Sequence, residues 1–236
     1  MTEISTSEAR EVERQTINSN VEELDKTLNS ALYDIGFLRG TIGNKLVGEK
    51  IKDSYSGHAV DVGIRSVIQK SLLFVTRSWD HNSNSIPKVI EQMRGWGTEL
   101  ENDRKARRPD FPNDFLEIGQ VEDKISKLAV DAESFLNCEE FLAAKLHRDE
   151  HVAHLLKGRS GYRRKLERLG IEVDPITYDQ VVQLGTKTAN FITRILQIWQ
   201  FTVKNEEDWI KTSEKNTRML WEALPVLAIT EKEQWD

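Results

Sequence analysis

The chain has 236 residues, of which 38% are hydrophobic and 31% are charged, and this composition is typical of a folded protein rather than a disordered one. The formal net charge of −6 means that any contact with nucleic acid has to come from a local basic patch, not from the molecule as a whole. The single cysteine, Cys138, excludes a disulfide framework and a multi-cysteine zinc site within one chain, and it favours a reducing compartment.

The first part of the chain alternates apolar helical patterns with glycine-containing connections. Residues 1–15 are polar and are expected either to form a frayed N-terminal extension or to extend the first helix. From Ile17, apolar residues recur at helical spacing and predict a long helix that ends near Gly40 or Gly43. The glycine-containing stretch that follows predicts a loop or a weak helix. A strongly apolar helix then begins at Ala59 and runs into the polar turn HNSNS.

Shorter helices are predicted in the middle of the chain. Ser85 is a candidate N-cap for a helix with Pro87 in its first turn, and two glycines end this helix. The highly charged residues 98–117 predict a surface helix followed by a turn. Apolar spacing then predicts a helix that begins at Val121, followed by or continuous with a helix over residues 139–156.

The C-terminal part begins with a helix start signal. Thr177 and Gln180 resemble a capping box, which predicts a long helix over residues 178 to about 204. A last helix is predicted over residues 206–224, where a proline ends it. Residues 225–236 are expected to form a loose C-terminal tail.

These patterns together predict the fold class. No segment shows strand alternation, and no internal repeat is present. Long amphipathic helices with short connections predict an all-α protein, an antiparallel helical bundle forming a single domain over residues 1–236. The polar N-terminal residues, and the lack of an apolar run of membrane length, predict a cytoplasmic location and no membrane contact.

The helix predicted over residues 139–156 differs on its two sides. Three of the five histidines of the chain lie on it within about two turns. A solvated helix face normally carries Lys and Glu, so a face of histidines and arginine between alanines is the best candidate for a functional site. The predicted core side holds Phe135, Leu142, Leu146 and Ala153, and the opposite side holds His147, Arg148, His151 and His154 beside Ala143 and Ala144.

Arg148 and His154 are separated by five residues. On an ideal helix they lie about 120° apart and flank one face, so a single helix does not bring both easily to one small substrate. A second copy of the helix across a two-fold axis would place two such pairs around one cleft. The small residues Ala143 and Ala144 would let the two helices approach.

Cleavage of an RNA phosphodiester is the chemistry that such a face suits. Histidine titrates near neutrality, so His154 can take a proton from a ribose 2′-OH or give one to the leaving oxygen. Arg148 stays charged and matches the geometry of phosphate, and neither role needs a metal ion. Asp149 falls near the apolar side of the helix, where a carboxylate needs a partner, either Arg148 or an arginine of another helix such as Arg77. Asp149 is therefore predicted to orient the partner arginine and not to transfer protons.

These residues resemble a known signature. Arg148 and Asp149 followed by Ala153 and His154 resemble the motif of the HEPN superfamily, an arginine with a polar neighbour and then a histidine late in a helical bundle. The apolar helix ending in TRSWD, with the HNSNSIPKVI turn and helix after it, is similar to the abortive-infection U-type (AbiU-like) branch of that superfamily. The resemblance covers roughly residues 20–205.

The resemblance implies a function and a set of roles. Members are commonly metal-independent endoribonucleases that act as homodimers without a cofactor, often as toxins or antiviral phage-defence effectors. Some pair with a nucleotidyltransferase antitoxin, and others bind nucleotides or have lost catalysis. By this resemblance Arg148 and His154 form the catalytic pair, Asp149 is the polar neighbour, and RNA is the substrate. His147 and His151 are specific to this sequence, and the family pattern assigns them no role. They are candidates for auxiliary residues because of their place on the same helix.

Less specific interpretations of the same residues stay open. A histidine on a helix is usually a surface or interface residue, and an arginine more often forms a salt bridge than catalyses a reaction. His147, His151 and His154 also stand at i, i+4 and i+7, a spacing that could ligate a transition metal. Since no carboxylate or cysteine evidently completes such a site, no metal is expected.

A dense basic run follows the motif helix. Lys157, Arg159, Arg163 and Arg164 are candidates for binding RNA phosphates beside the site, which would make binding sensitive to salt. The simpler interpretation is a solvated loop and surface helix. The tryptophans at helical positions, including Trp79, are expected to serve packing or a dimer interface rather than base stacking.

Two hypotheses of function follow. The first is a homodimeric HEPN-type ribonuclease of a toxin–antitoxin or abortive-infection system. The alternative is a non-catalytic helical module that binds a partner protein or a nucleotide through the same groove.

Overall fold

The computed structural model describes a protein that is mostly helical in the ranges it covers. Within residues 6–51, 55–80, 84–107, 120–151, 168, 175–202 and 204–223 there is no β-strand, so the predicted all-α class is confirmed. None of the helices in these ranges is both long and apolar enough to cross a membrane. In chain order they are α1 (Thr6–Thr41), α2 (Lys45–Ile51), α3 (Tyr55–Ser78), α4 (Ile86–Met93), α5 (Gly97–Arg107), α6 (Val121–Leu136), α7 (Glu139–His151), α8 (Tyr178–Trp199) and α9 (Glu206–Ala223).

Most predicted helix boundaries are confirmed. Thr177 forms the expected capping box, because its side chain accepts a hydrogen bond from the Gln180 amide while the Gln180 side chain accepts one from the Thr177 amide. The stretch predicted as a loop or weak helix forms α2. Helix α8 ends at Trp199 rather than near residue 204, and Phe201 just beyond it has a positive φ of 55°.

The N-terminal residues follow one of the two expectations. Residues 6–15 extend the first helix, α1, and do not form a frayed extension. Two arginines attach them to α5: Arg10 donates hydrogen bonds to the Gly95 carbonyl (2.8 Å) and to Glu99 (3.0 Å), and Arg14 pairs with Asp103. The guanidinium of Arg10 also lies 3.7 Å from the ring centroid of Trp96. Residues 6–15 contain few apolar side chains, and these polar contacts attach them to residues that are distant in sequence.

The long helix α1 lies at the centre of the bundle. It packs against α3, α4, α8 and α9. It runs antiparallel to α8, since Asn18 contacts Trp199 while Arg39 contacts Thr186. It runs parallel to α9, since Gly36 faces Ser213 while Gly40 faces Thr217. Residues of the predicted α1 stripe are fully or almost fully buried, among them Ile17, Val21, Leu24, Leu28, Ala31, Leu32, Ile35 and Leu38.

Trp79 closes the C-terminal end of α3. Its side chain is 2% exposed, and its indole N–H donates a hydrogen bond of 3.1 Å to Thr188 Oγ1 of α8. Its ring stacks on Phe135 of α6, with centroids 4.3 Å apart, and meets Phe191 edge-on at 4.8 Å. The expectation that this tryptophan serves packing is confirmed. The cluster fixes where α3 ends, which determines the position of the next residue, Asp80.

Candidate functional site

Helix α7 is buried differently from the prediction. Ala143 and Ala144 are 5% and 0% exposed, so they pack inside the chain and are not available for a second copy of the helix. Leu142, predicted to be in the core, is only half-buried. Phe141, Ala144 and Arg148 stand at i, i+3 and i+7, which places the arginine on a side of the helix that the chain covers. The reason is that α7 packs against α3, α6 and α8, so more than one side of it is enclosed.

Arg148 is held between two carboxylates. Its Nη1 donates a hydrogen bond of 2.7 Å to Asp80 Oδ2, beyond the end of α3. Its Nε donates to Asp149 Oδ1 at 2.9 Å, and Nη2 lies at the same distance from that oxygen. The side chain of Arg148 is 18% exposed. The guanidinium is therefore fixed at the place where α3 and α7 meet, with part of it open to solvent.

Two arginines were predicted as alternative partners of Asp149, and one of them is confirmed. Asp149 pairs with Arg148, whereas Arg77, the other candidate, is an exposed residue of α3. Asp80 is the residue that sequence reasoning missed as part of this site. It is 68 positions from Arg148, and only its place directly after Trp79 in the TRSWD stretch could have drawn attention to it.

The remaining predicted site residues are placed only in part. His147 is half-buried on α7. His151 is the last residue of that helix, and its side chain lies outside what the structure describes. His154 and the basic residues Lys157, Arg159, Arg163 and Arg164 fall in the range 152–167, also outside the described residues. The pairing of Arg148 with His154 therefore stays a prediction.

The charge of this cluster bears on what it can bind. Asp80, Asp149 and Arg148 have a formal charge of −1 in sum, so attraction of an anion would have to come from directed N–H groups and not from net charge. A guanidinium has five N–H donors, and these two carboxylates take three contacts from it. Two donors of Arg148 are thus not used by the two carboxylates. A guanidinium oriented in this way matches the geometry of an oxyanion such as phosphate.

The start of α7 carries the single cysteine. Cys138 is half-buried, and burial raises the pKa of its thiol; a hydrogen bond to Glu140 acts in the same direction.

In the ranges that the structure describes, no group of three or more His, Cys, Asp or Glu side chains could hold a metal ion. The three-histidine alternative depends on His151 and His154 side chains, which lie outside those ranges.

Comparison with known proteins identifies the family. Neither the curated proteins nor the solved structures contain a match to this chain. The HEPN family model described as AbiU2 matches residues 13–219, which is most of the chain. The match begins within α1 and ends within α9, and it includes Asp80 and both members of the predicted Arg148–His154 pair. The chain therefore belongs to the AbiU2 family of HEPN proteins.

Proposed function

We propose that this protein is a metal-independent endoribonuclease that acts as a toxin or abortive-infection effector. Membership in the AbiU2 family supports the HEPN part of this proposal. The observation that carries the proposal further is the Arg148 guanidinium, which is held by two carboxylates at the place in the family motif where a catalytic arginine is expected. A fixed guanidinium with N–H donors beyond those that Asp80 and Asp149 take suits the stabilisation of a phosphoryl transition state.

The proposed reaction is internal transesterification of RNA. The ribose 2′-oxygen attacks the adjacent phosphorus while His154 takes its proton. The bond from phosphorus to the 5′-oxygen of the next nucleotide breaks, and that oxygen receives a proton from a histidine, leaving a 2′,3′-cyclic phosphate and a 5′-hydroxyl. Arg148 stabilises the charge on the phosphoryl oxygens, and Asp149 orients Arg148.

The proposed assembly is a homodimer in the cytoplasm. A second copy would supply a second Arg148 and His154 to one cleft, so that one histidine can act as base and the other as acid. Lys157, Arg159, Arg163 and Arg164 would hold the RNA backbone, with His147 and His151 as auxiliary groups. A nucleotidyltransferase-type antitoxin is the partner protein that we propose for regulation.

Variants of the two motif residues test this function. We expect His154→Ala and Arg148→Ala each to lower the rate of RNA cleavage by about 100-fold or more, because each removes a group that acts in the transition state. His58→Ala is the matched control, since His58 is an exposed histidine of α3 and its loss should leave the rate unchanged. All three proteins should keep the wild-type mass by light scattering, about twice the 27.2 kDa of one chain. Equal cleavage by wild type and His154→Ala would contradict the proposal.

One observation favours the alternative of a non-catalytic binding module. The two carboxylates around Arg148 also fit an arginine that serves only to join α3 to α7. In that case Arg148→Ala would lower the stability of the fold, and His154→Ala would change neither stability nor any RNA cleavage. The same set of variants therefore separates the two functions.

A further inference from the structure

We propose that Asp80 is the positioning residue for the Arg148 guanidinium, a role that rests on the proposed ribonuclease function. Asp80 lies just beyond the end of α3, and its Oδ2 accepts a hydrogen bond of 2.7 Å from Arg148 Nη1. Its side chain is 28% exposed, so the contact is shielded from solvent in large part. Such charge-assisted hydrogen bonds are short, strong and directional.

The two carboxylates around Arg148 differ in what they can fix. Asp149 is the next residue on α7, so it moves with the helix that carries the arginine. It restricts the Arg148 side chain relative to α7 only. Asp80 belongs to a different part of the chain and contacts the opposite side of the guanidinium. It is therefore the contact that fixes the guanidinium relative to the rest of the bundle.

The position of Asp80 is itself fixed by its neighbour in sequence. Trp79 is enclosed by Phe135, Phe191 and Thr188, which belong to α6 and α8. A large side chain held on three sides leaves the adjoining backbone little freedom. Trp79 thus fixes the backbone at the end of α3, and Asp80, held by that backbone, fixes the Arg148 guanidinium through its hydrogen bond.

The chemical consequence concerns the donors that remain on Arg148. With Nε and Nη2 directed at Asp149 and Nη1 at Asp80, the plane of the guanidinium and the direction of its other N–H groups are set before RNA binds. Preorganised donors contribute most in the transition state, where charge develops, and a displacement of about 1 Å can cost about 100-fold in rate. Loss of Asp80 should therefore affect kcat more than KM.

Steady-state kinetics on Asp80 variants tests this role. We expect Asp80→Ala to lower kcat for RNA cleavage by about 10- to 100-fold with KM changed by less than about 3-fold. Asp80→Asn keeps the shape of the side chain and one acceptor oxygen, so its kcat should lie between those of wild type and Asp80→Ala. The same variant also serves as the test if the alanine variant fails to fold. The matched control is Asp131→Ala, because Asp131 of α6 also pairs with an arginine of another element, Arg194 of α8 at 2.8 Å, and is not one of the two carboxylates that hold Arg148. An unchanged or higher kcat in folded Asp80→Ala or Asp80→Asn would overturn the positioning role.

A spectroscopic readout separates this inference from the ribonuclease proposal. The Nε–H signal of Arg148 in a proton–nitrogen NMR spectrum, assigned by its loss in Arg148→Lys, should be sharp in wild type and in Asp131→Ala, and broadened in Asp80→Ala. If wild type does not cleave RNA but the signal still depends on Asp80, the ribonuclease function fails and the positioning role stands. If wild type cleaves RNA and the signal is equally sharp without Asp80, the positioning role fails and the function stands.

Discussion

At the scale of single residues, the sequence predicts Arg148 and Asp149 of the candidate site but not Asp80, which Trp79 holds in place. Local spacing predicted Arg148 and its neighbour Asp149, because both lie on one helix. The contact with Asp80 joins residues 68 positions apart and depends on how α3 packs against α7, which no local pattern encodes. A carboxylate beside a buried tryptophan at a helix end is the kind of feature that deserves inspection in related chains.

Cys138 gives a prediction that follows from its burial. Because burial raises the pKa of the thiol, less thiolate is present in the folded protein than in a free cysteine at the same pH. We expect alkylation of Cys138 by iodoacetamide to be slower than that of free cysteine near pH 8. Its rate should still be rising at pH values where the rate for free cysteine has levelled off. The pH dependence of the alkylation rate is the measurement.

The unfolded chain is the control for Cys138. In concentrated denaturant the burial is lost, so the same residue should be alkylated with the pH profile of free cysteine. A folded-state profile that levels off at a lower pH than free cysteine would contradict the stated effect of burial.

At the scale of helices, apolar periodicity and capping residues predicted most of the observed elements. The α1 stripe from Ile17 to Leu38 and the Thr177 capping box are local features, and both are confirmed. Local patterns did not suffice where contacts between helices decide. They left open whether residues 6–15 extend the first helix, and the contacts of Arg10 and Arg14 with α5 involve distant residues. The prediction for Ala143 and Ala144 was wrong because α7 has neighbours on several sides.

Close packing of α1 on α9 gives a prediction at this scale. A Cβ on Gly36 would lie 2.6 Å from the backbone oxygen of Ile210, and one on Gly40 would lie 2.8 Å from that of Glu214. Backbone atoms cannot rotate away as a side chain can, so Gly36→Ala has to push the helices apart. We expect it to lower the free energy of unfolding by about 1–3 kcal/mol, measured by urea denaturation.

Gly63 provides the control for this substitution. It lies within α3, is exposed, and a Cβ there would meet nothing within 4 Å. Gly63→Ala should therefore raise stability by about 0.5–1 kcal/mol, because alanine favours the helix over the unfolded chain. If Gly36→Ala were as stable as Gly63→Ala, the close contact between α1 and α9 would be wrong.

At the scale of the whole molecule, the bundle holds Arg148 at the place where α3 and α7 meet. Family membership covers residues 13–219, so it includes both the core and the site. The described part of the chain supplies Arg148 and the two carboxylates that orient it. The proposed activity adds a second copy of the chain and the His154 imidazole, and it assigns the acid and base steps to side chains rather than to a metal ion.

The most direct measurement of this central claim is the cleavage of RNA in the presence of excess EDTA, with the chemical ends of the fragments identified. We predict that wild-type protein cleaves RNA at the same rate with and without EDTA, and that the fragments carry 2′,3′-cyclic phosphate and 5′-hydroxyl ends. Fragments with 5′-phosphate ends, or cleavage that stops when EDTA is added, would contradict the proposed mechanism.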